Sequence, residues 1–335
     1  MGSTLLQFGL AAVVIVIAGI VLTRCADAIA EVTGLGRLLI GSLLLAGATS
    51  LPELMIDLHA IQLGAIDLAV GDLMGSNLCN LLILAILDMS YHSRGHMLSR
   101  SAAAHALSAT MSIVLVALAT IDIVLGHHLA HLTLYGVSAG SLAIALAYVG
   151  GIRLVFYDQQ FVAGQPGSPA HSAVASVGHM SLTRALLGCA GATLAIILAA
   201  PWLARAADQL AALSGLGRTF VGTTLVALST SLPEFVASMT ALRMGAFDLA
   251  LGNIFGSNAF NMLLLLPLDI ASPTSLFAEV SPAHILTGLA TILITAVAML
   301  GQLYHVERRM RFLEPDATLM LLLILGTLGL VYAMS

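Results

Sequence analysis

The sequence predicts an all-α polytopic membrane protein whose ten transmembrane helices form two inverted repeats of five. Three observations carry this. Of 335 residues, 59% are hydrophobic and 9% are charged, against about 25% charged in an ordinary soluble domain. Apolar runs of about 20 residues, the length that spans a bilayer, recur from end to end. The segment from Arg24 to Asp88 also aligns without a gap on Arg205 to Asp269, with 31 identities in 65 positions. Too little sequence remains outside the apolar runs to build a soluble catalytic domain, so a soluble enzyme is excluded.

Breaking the apolar runs at charges, Gly and Pro places the helices at roughly 5–23, 38–62, 67–89, 101–121, 130–152, 184–204, 218–242, 248–270, 282–302 and 316–334. The first run, Leu5 to Leu22, lacks the basic stretch and small-residue cleavage site of a secretory signal and reads as a retained span. The second and third helices fall inside the duplicated segment, as do their partners, the seventh and eighth. The longest polar stretch, Tyr157 to Met180, carries Gln159, Gln160, Pro166, Gly167, Ser168 and Pro169, a composition that reads as a linker. It divides the chain into a first repeat (1–156), a cytoplasmic linker (157–180) and a second repeat (181–335).

Each half has an odd number of spans, so the second copy crosses the membrane in the opposite sense, the plan of many secondary transporters. Arginine placement agrees. The loops after helices 1, 3, 5, 7 and 9 hold Arg24, Arg37, Arg94, Arg100, Arg153, Arg184, Arg243, Arg308, Arg309 and Arg311, whereas the other face has Arg205 and Arg218. The positive-inside rule puts the first set in the cytoplasm. The chain is therefore expected to be a multi-pass protein of a cell (inner) membrane with both termini outside the cytoplasm. All twelve basic residues are Arg and they are scattered, which leaves no basic face for nucleic acid. The three cysteines, Cys25, Cys79 and Cys189, lie far apart in or beside apolar runs and read as small core residues.

The two copies agree most where they are least hydrophobic. Helix 2 reads Gly47-Ala48-Thr49-Ser50-Leu51-Pro52-Glu53 and helix 7 reads Leu228-Ser229-Thr230-Ser231-Leu232-Pro233-Glu234. Helix 3 carries Gly71-Asp72-Leu73-Met74-Gly75-Ser76-Asn77-Leu78-Cys79-Asn80 and helix 8 carries Gly252-Asn253-Ile254-Phe255-Gly256-Ser257-Asn258-Ala259-Phe260-Asn261. All four motifs are mid-span. A carboxylate at that depth costs several kcal/mol unless it is paired or faces a polar cavity, and a bound cation is the simplest reason for Glu53 and Glu234 to be there. The proline before each Glu lacks an N–H and frees a carbonyl one turn earlier, so broken helices are expected to add backbone oxygens. Ser76 and Asn80, like Ser257 and Asn261, are four apart and share a helix face. The chain has five asparagines, Asn77, Asn80, Asn253, Asn258 and Asn261, and every one lies in these motifs. Carboxylate, hydroxyl, amide and carbonyl oxygens suit a hard cation such as Ca2+ or Na+, while Zn2+ or Cu+ would want His or Cys.

These paired motifs resemble those of the calcium/cation antiporter superfamily, in its prokaryotic sodium/calcium exchanger branch. The resemblance extends over the five-plus-five architecture. It implies that Glu53 and Glu234 are the central Ca2+ ligands, that Thr49 and Thr230 supply carbonyls, that Ser50, Ser76, Ser231 and Ser257 serve flanking Na+ sites, and that Asn80 and Asn261 sit at the centre. It also implies alternating access in which helices 1 and 6 slide across the core. Transported Ca2+ and Na+, with H+ as the alternative counter-ion, are then the partners, together with the lipid bilayer. No cofactor is expected, and the chain is expected to work as a monomer. Asp72 departs from the pattern, since the second copy and commonly the family have Asn there. Asp57, one turn after Glu53, is matched by Ser238 and belongs to no motif. With inversion, both acids are expected in the outer vestibule, where negative charge concentrates divalent cations or binds a proton.

Other polar residues have plainer readings. Asp67, Asp248, Asp88 and Asp269 lie near helix ends and read as caps or interfacial residues. Arg24 with Asp27, and Arg205 with Asp208, read as local pairs. His127, His128 and His131 read as solvated interfacial side chains. His105 and His284, each near a helix start, are the candidates for proton coupling. An Na+/Ca2+ antiporter is the leading function and an H+/Ca2+ antiporter of the same fold the alternative. An intramembrane protease, for which Gly71-Asp72 is the only faint signal, is remote, and counter-ion dependence would separate a carrier from a passive channel.

Overall fold

The computed structural model describes residues 2–90, 102–129, 131–134, 136–163, 180–213, 229–304 and 315–334. Its long helices are α1 (Gly2–Thr33), α2 (Arg37–Gln62), α3 (Ile66–Ser90), α4 (Ala102–Leu129), α5 (Ala139–Ala163), α6 (Leu182–Leu213), α7 (Leu232–Arg243), α8 (Phe247–Ala271), α9 (His284–Tyr304) and α10 (Pro315–Met334). Nine of them are long and apolar enough, over the described residues, to cross a membrane. The seventh is described from residue 229, with a turn at Ser231 before the helix Leu232–Arg243, and the expected start of that helix at 218 lies outside the described residues. The architecture is the expected one of ten helices in two inverted repeats of five.

Five boundaries differ from the sequence reading. Helices α1 and α6 run about ten residues past the expected ends at 23 and 204, to Thr33 and Leu213. Arg24 and Arg205 end the apolar run without ending the helix, because neither is a helix breaker. Helix α4 continues to Leu129 and α5 starts at Ala139 rather than 130, since a two-residue hairpin, Thr133 and Leu134 paired with Ser138 and Val137, fills the gap. Asp269 sets this corner: it accepts from Ser138 N and Oγ, both at 2.7 Å, from Ser141 Oγ at 2.9 Å and from Leu276 N at 2.9 Å. Helix α5 extends through Tyr157 to Ala163, so the first residues of the polar stretch are helical, and 164–179 lie outside the described residues.

The core is α2, α3, α7 and α8, with α8 buried along most of its length. Helices α1 and α6 pack on each other over much of their span and present their remaining apolar surface outward, as lipid-facing helices must. Helices α2 and α8 cross with their backbones nearly touching. A Cβ on Gly41 would meet Leu249 O at 2.6 Å, and one on Gly256 would fall on the backbone of Ser42. Here α2 widens into a π-helical turn, Gly41–Leu45, a local irregularity that often marks functional sites.

Cross-repeat pairs fix the helix starts. His105 Nε2 of α4 lies 2.9 Å from Asp248 Oδ1 of α8, and His284 Nε2 of α9 lies 3.4 Å from Asp67 Oδ1 of α3. Asp67 and Asp248 are equivalent in the repeat, so the two pairs are one device used at each end of the bundle. Asp27 pairs with Arg37 rather than with Arg24, while Arg205 Nε donates to Pro201 O at 3.1 Å.

Candidate ion-binding site

The four motifs converge. Thr49, Ser50 and Glu53 on α2, Ser76 and Asn80 on α3, Thr230, Ser231 and Glu234 at the start of α7, and Ser257 and Asn261 on α8 are all buried, and these four helices pack on one another. Ser231 is the N-cap residue of α7, with φ −83° and ψ 4°, so the second copy does break beside its proline. Helix α2, by contrast, passes through Pro52 uninterrupted, and its irregular turn lies upstream at Gly41–Leu45. Proline still denies a donor to the carbonyl four residues back, so Ala48 keeps a spare oxygen without a broken helix. The Thr49 hydroxyl turns its hydrogen onto its own helix, toward Leu45 O at 3.1 Å and Ala46 O at 3.2 Å, and keeps its lone pairs free.

The two glutamates meet across the repeat interface. Ser50 Oγ of the first copy, one turn before Glu53, donates to Glu234 Oε1 of the second at 3.5 Å. Around them the asparagines form a reciprocal pair of hydrogen bonds. Asn80 Nδ2 donates to Asn258 Oδ1 at 2.9 Å, and Asn261 Nδ2 donates to Asn77 Oδ1 at 3.1 Å. Each bond joins one repeat to the other, and each consumes the donor end of an amide. Asn80 Oδ1 and Asn261 Oδ1 are left buried without a partner, as are Glu53 Oε2, Glu234 Oε2 and Ser257 Oγ. Unpartnered buried acceptors are costly. A set of them drawn from carboxylates, amides and a hydroxyl is what a hard cation satisfies. Asn77 and Asn258 are the residues that motif reasoning left without a role. Their signal was the confinement of every asparagine to these segments, but spacing alone could not say which amides face inward and which hold them.

Asp57 is buried, with neither carboxylate oxygen hydrogen-bonded, and Asp72 Oδ2 is likewise unpartnered. At the equivalent place in the second copy, Asn253 Nδ2 donates to Ser238 Oγ at 2.9 Å and lies 3.5 Å from Glu234 O. His127 and His128 lie in the last turn of α4 rather than after it; His128 and His131 are exposed, and the side chain of His127 lies outside the described residues.

Inverted five-helix repeats around buried mid-span carboxylates define a membrane ion transporter rather than an enzyme. Residues 3–152 and 184–333 match the model of the sodium/calcium exchanger protein family, and the chain belongs to this family; it is a membrane antiporter of calcium and other cations. It is 27% identical over 292 residues to the putative antiporter CaxA of Alkalimonas amylolytica, covering 84% of this chain and 86% of that protein. It is 36% identical over 115 residues to the sodium/calcium exchanger MaX1 of Methanosarcina acetivorans, covering 34% of this chain and 30% of that protein. Its fold matches the solved sodium-calcium exchanger NCX_Mj with a TM-score of 0.70 over 97% of each chain, at 19% identity.

Proposed function

We propose that the chain exchanges Ca2+ for Na+ by alternating access at the site between Glu53 and Glu234. The observation that carries this is the ring of buried acceptor oxygens without donors, contributed almost equally by the two repeats. Glu53 and Glu234 supply the two negative charges a Ca2+ ion needs. Asn80 and Asn261 add amide oxygens, and Thr49 and Thr230 add carbonyls. Ser50, Ser76, Ser231 and Ser257 complete weaker hydroxyl sites on either side, matched to Na+. Sodium is favoured over H+ as the counter-ion because the serines are duplicated with the carboxylates, whereas H+ exchange would need the carboxylates alone. The named relative MaX1, a sodium/calcium exchanger, agrees with this choice.

Alternating access would use α1 and α6, which lie outside the four-helix core. Gly19 of α1 backs onto Val236 of α7, and Thr23 Oγ1 donates to Gly19 O at 2.8 Å and reaches Ala237 O at 3.3 Å. Among the described residues this α1–α7 contact has one weak interhelical bond, which suits sliding, while the Asp27–Arg37 pair ties the end of α1 to α2. The arginine bias supports a cytoplasmic linker and external termini in a cell membrane.

The test is 45Ca2+ uptake into proteoliposomes given an outward Na+ gradient, a pH gradient, or neither. Uptake is expected with the Na+ gradient alone. Uptake driven by the pH gradient and indifferent to Na+ would make the protein an H+/Ca2+ exchanger, and uptake independent of both would make it a channel.

A further inference from the structure

The two repeats differ at one pair of positions in a way that leaves a charge imbalance on one side of the core. In the second copy Asn253 on α8 is a donor: its Nδ2 lies 2.9 Å from Ser238 Oγ and 3.5 Å from Glu234 O. The gapless alignment puts Asp72, Asp57 and the Glu53 carbonyl in those three places in the first copy. The donor has become an acceptor and the hydroxyl has become a second carboxylate. Three acceptors therefore surround the point where the second copy has amide hydrogens. The carboxylates lack donors: Asp57 is 1% exposed, and its Oδ1 and Oδ2, with Asp72 Oδ2, have no hydrogen-bond partner. Asp72 lies close enough for its charge to act on that of Asp57.

Helix geometry puts both residues toward the helix faces that carry the central ligands. Asp57 is one turn beyond Glu53 on the same face of α2, and Asp72 is about two turns before Asn80 on α3. Asp72 is only partly buried, so the pair is not sealed from the surface. Two carboxylates at one spot repel unless a proton or a cation lies between them; the chain has no Lys, neither helix has an Arg near this depth, and the nearest basic side chain shown is His284, whose ring packs against Gly71.

We infer that Asp57 and Asp72, with the Glu53 carbonyl, form a second divalent-cation site that takes up Ca2+ on the α2–α3 side of the central pair and has no counterpart on the opposite side. Charge supports one ion in each place, since each pair of carboxylates balances one Ca2+. The site makes the transporter asymmetric although its scaffold is nearly symmetric.

Equilibrium 45Ca2+ binding to the purified protein in Na+-free detergent solution tests this. The unaltered chain should bind two Ca2+. Asp57→Ser combined with Asp72→Asn, which copies the hydrogen-bonded pair of the second repeat and so keeps a fold-compatible contact, should bind one. Glu53→Gln combined with Glu234→Gln should also bind one, held by the aspartates. A single Ca2+ on the unaltered chain, two on the Asp57→Ser/Asp72→Asn variant, or none on the Glu53→Gln/Glu234→Gln variant would overturn the inference. If instead the Glu variant binds two and the Asp variant one, the central assignment fails and the aspartate site stands.

Discussion

At the scale of single residues, Asn77 and Asn258 govern the proposed site without touching the ion. Each accepts the amide hydrogens of the opposite repeat's ligand asparagine, and that bond fixes which way the ligand amide points. Losing such an orienting partner typically lowers metal affinity about 10- to 100-fold. Asn258→Ala is therefore expected to weaken Ca2+ binding by about that much while leaving a folded protein, with Asn77→Ala behaving alike; a binding isotherm checks it, and an unchanged constant would remove Asn258 from the site. Glu53, Glu234 and their flanking serines were legible because they are duplicated and costly where they stand. The inward and outward roles of the asparagines were not, since a four-residue spacing gives a shared face but not a hydrogen-bond direction.

At the scale of elements, the close crossing of α2 and α8 positions the site. Gly41, Gly252 and Gly256 remove the side chains that would hold the two backbones apart, and the π-helical turn Gly41–Leu45 lies at that contact. Overfilling a packed contact costs about 1–3 kcal/mol, and here the clash is with backbone rather than with a movable side chain. Gly256→Leu is expected to lower the thermal midpoint of the detergent-solubilised protein by several degrees or to prevent its recovery, whereas Gly75→Leu, where a Cβ meets nothing within 4 Å, should be milder; equal midpoints for the two would contradict the crossing. The eight central boundaries of α2, α3, α8 and α9 were readable to within about two residues because apolar run and helix end together there. At α1 and α6 they do not: hydropathy reports the membrane and not the helix, so the polar last turns to Thr33 and Leu213 were hidden. The π-helical turn left no mark in composition.

At the scale of the whole molecule, equivalent contacts stand at both ends of the pseudo-symmetric frame, His105 with Asp248 and His284 with Asp67, and these are the two histidines that the sequence offers as candidates for proton coupling. The central site carries two acids, since Asn80 and Asn261 are neutral, and one Ca2+ or two Na+ balance it. A cycle that moves net charge feels about 2.3 kcal/mol per elementary charge per 100 mV. Exchange at this site is expected to be electroneutral, so imposing a potential with K+ and valinomycin should leave Na+-driven 45Ca2+ uptake unchanged, and strong acceleration would require a third Na+. The central claim, that Glu53 and Glu234 together hold the transported Ca2+, is tested most directly by Na+-driven 45Ca2+ uptake into proteoliposomes bearing Glu53→Gln or Glu234→Gln. Gln keeps the shape and removes half of the neutralising charge from a buried divalent site. Each variant should lose transport by at least about 100-fold; uptake near the unaltered rate in either one would place the ion elsewhere.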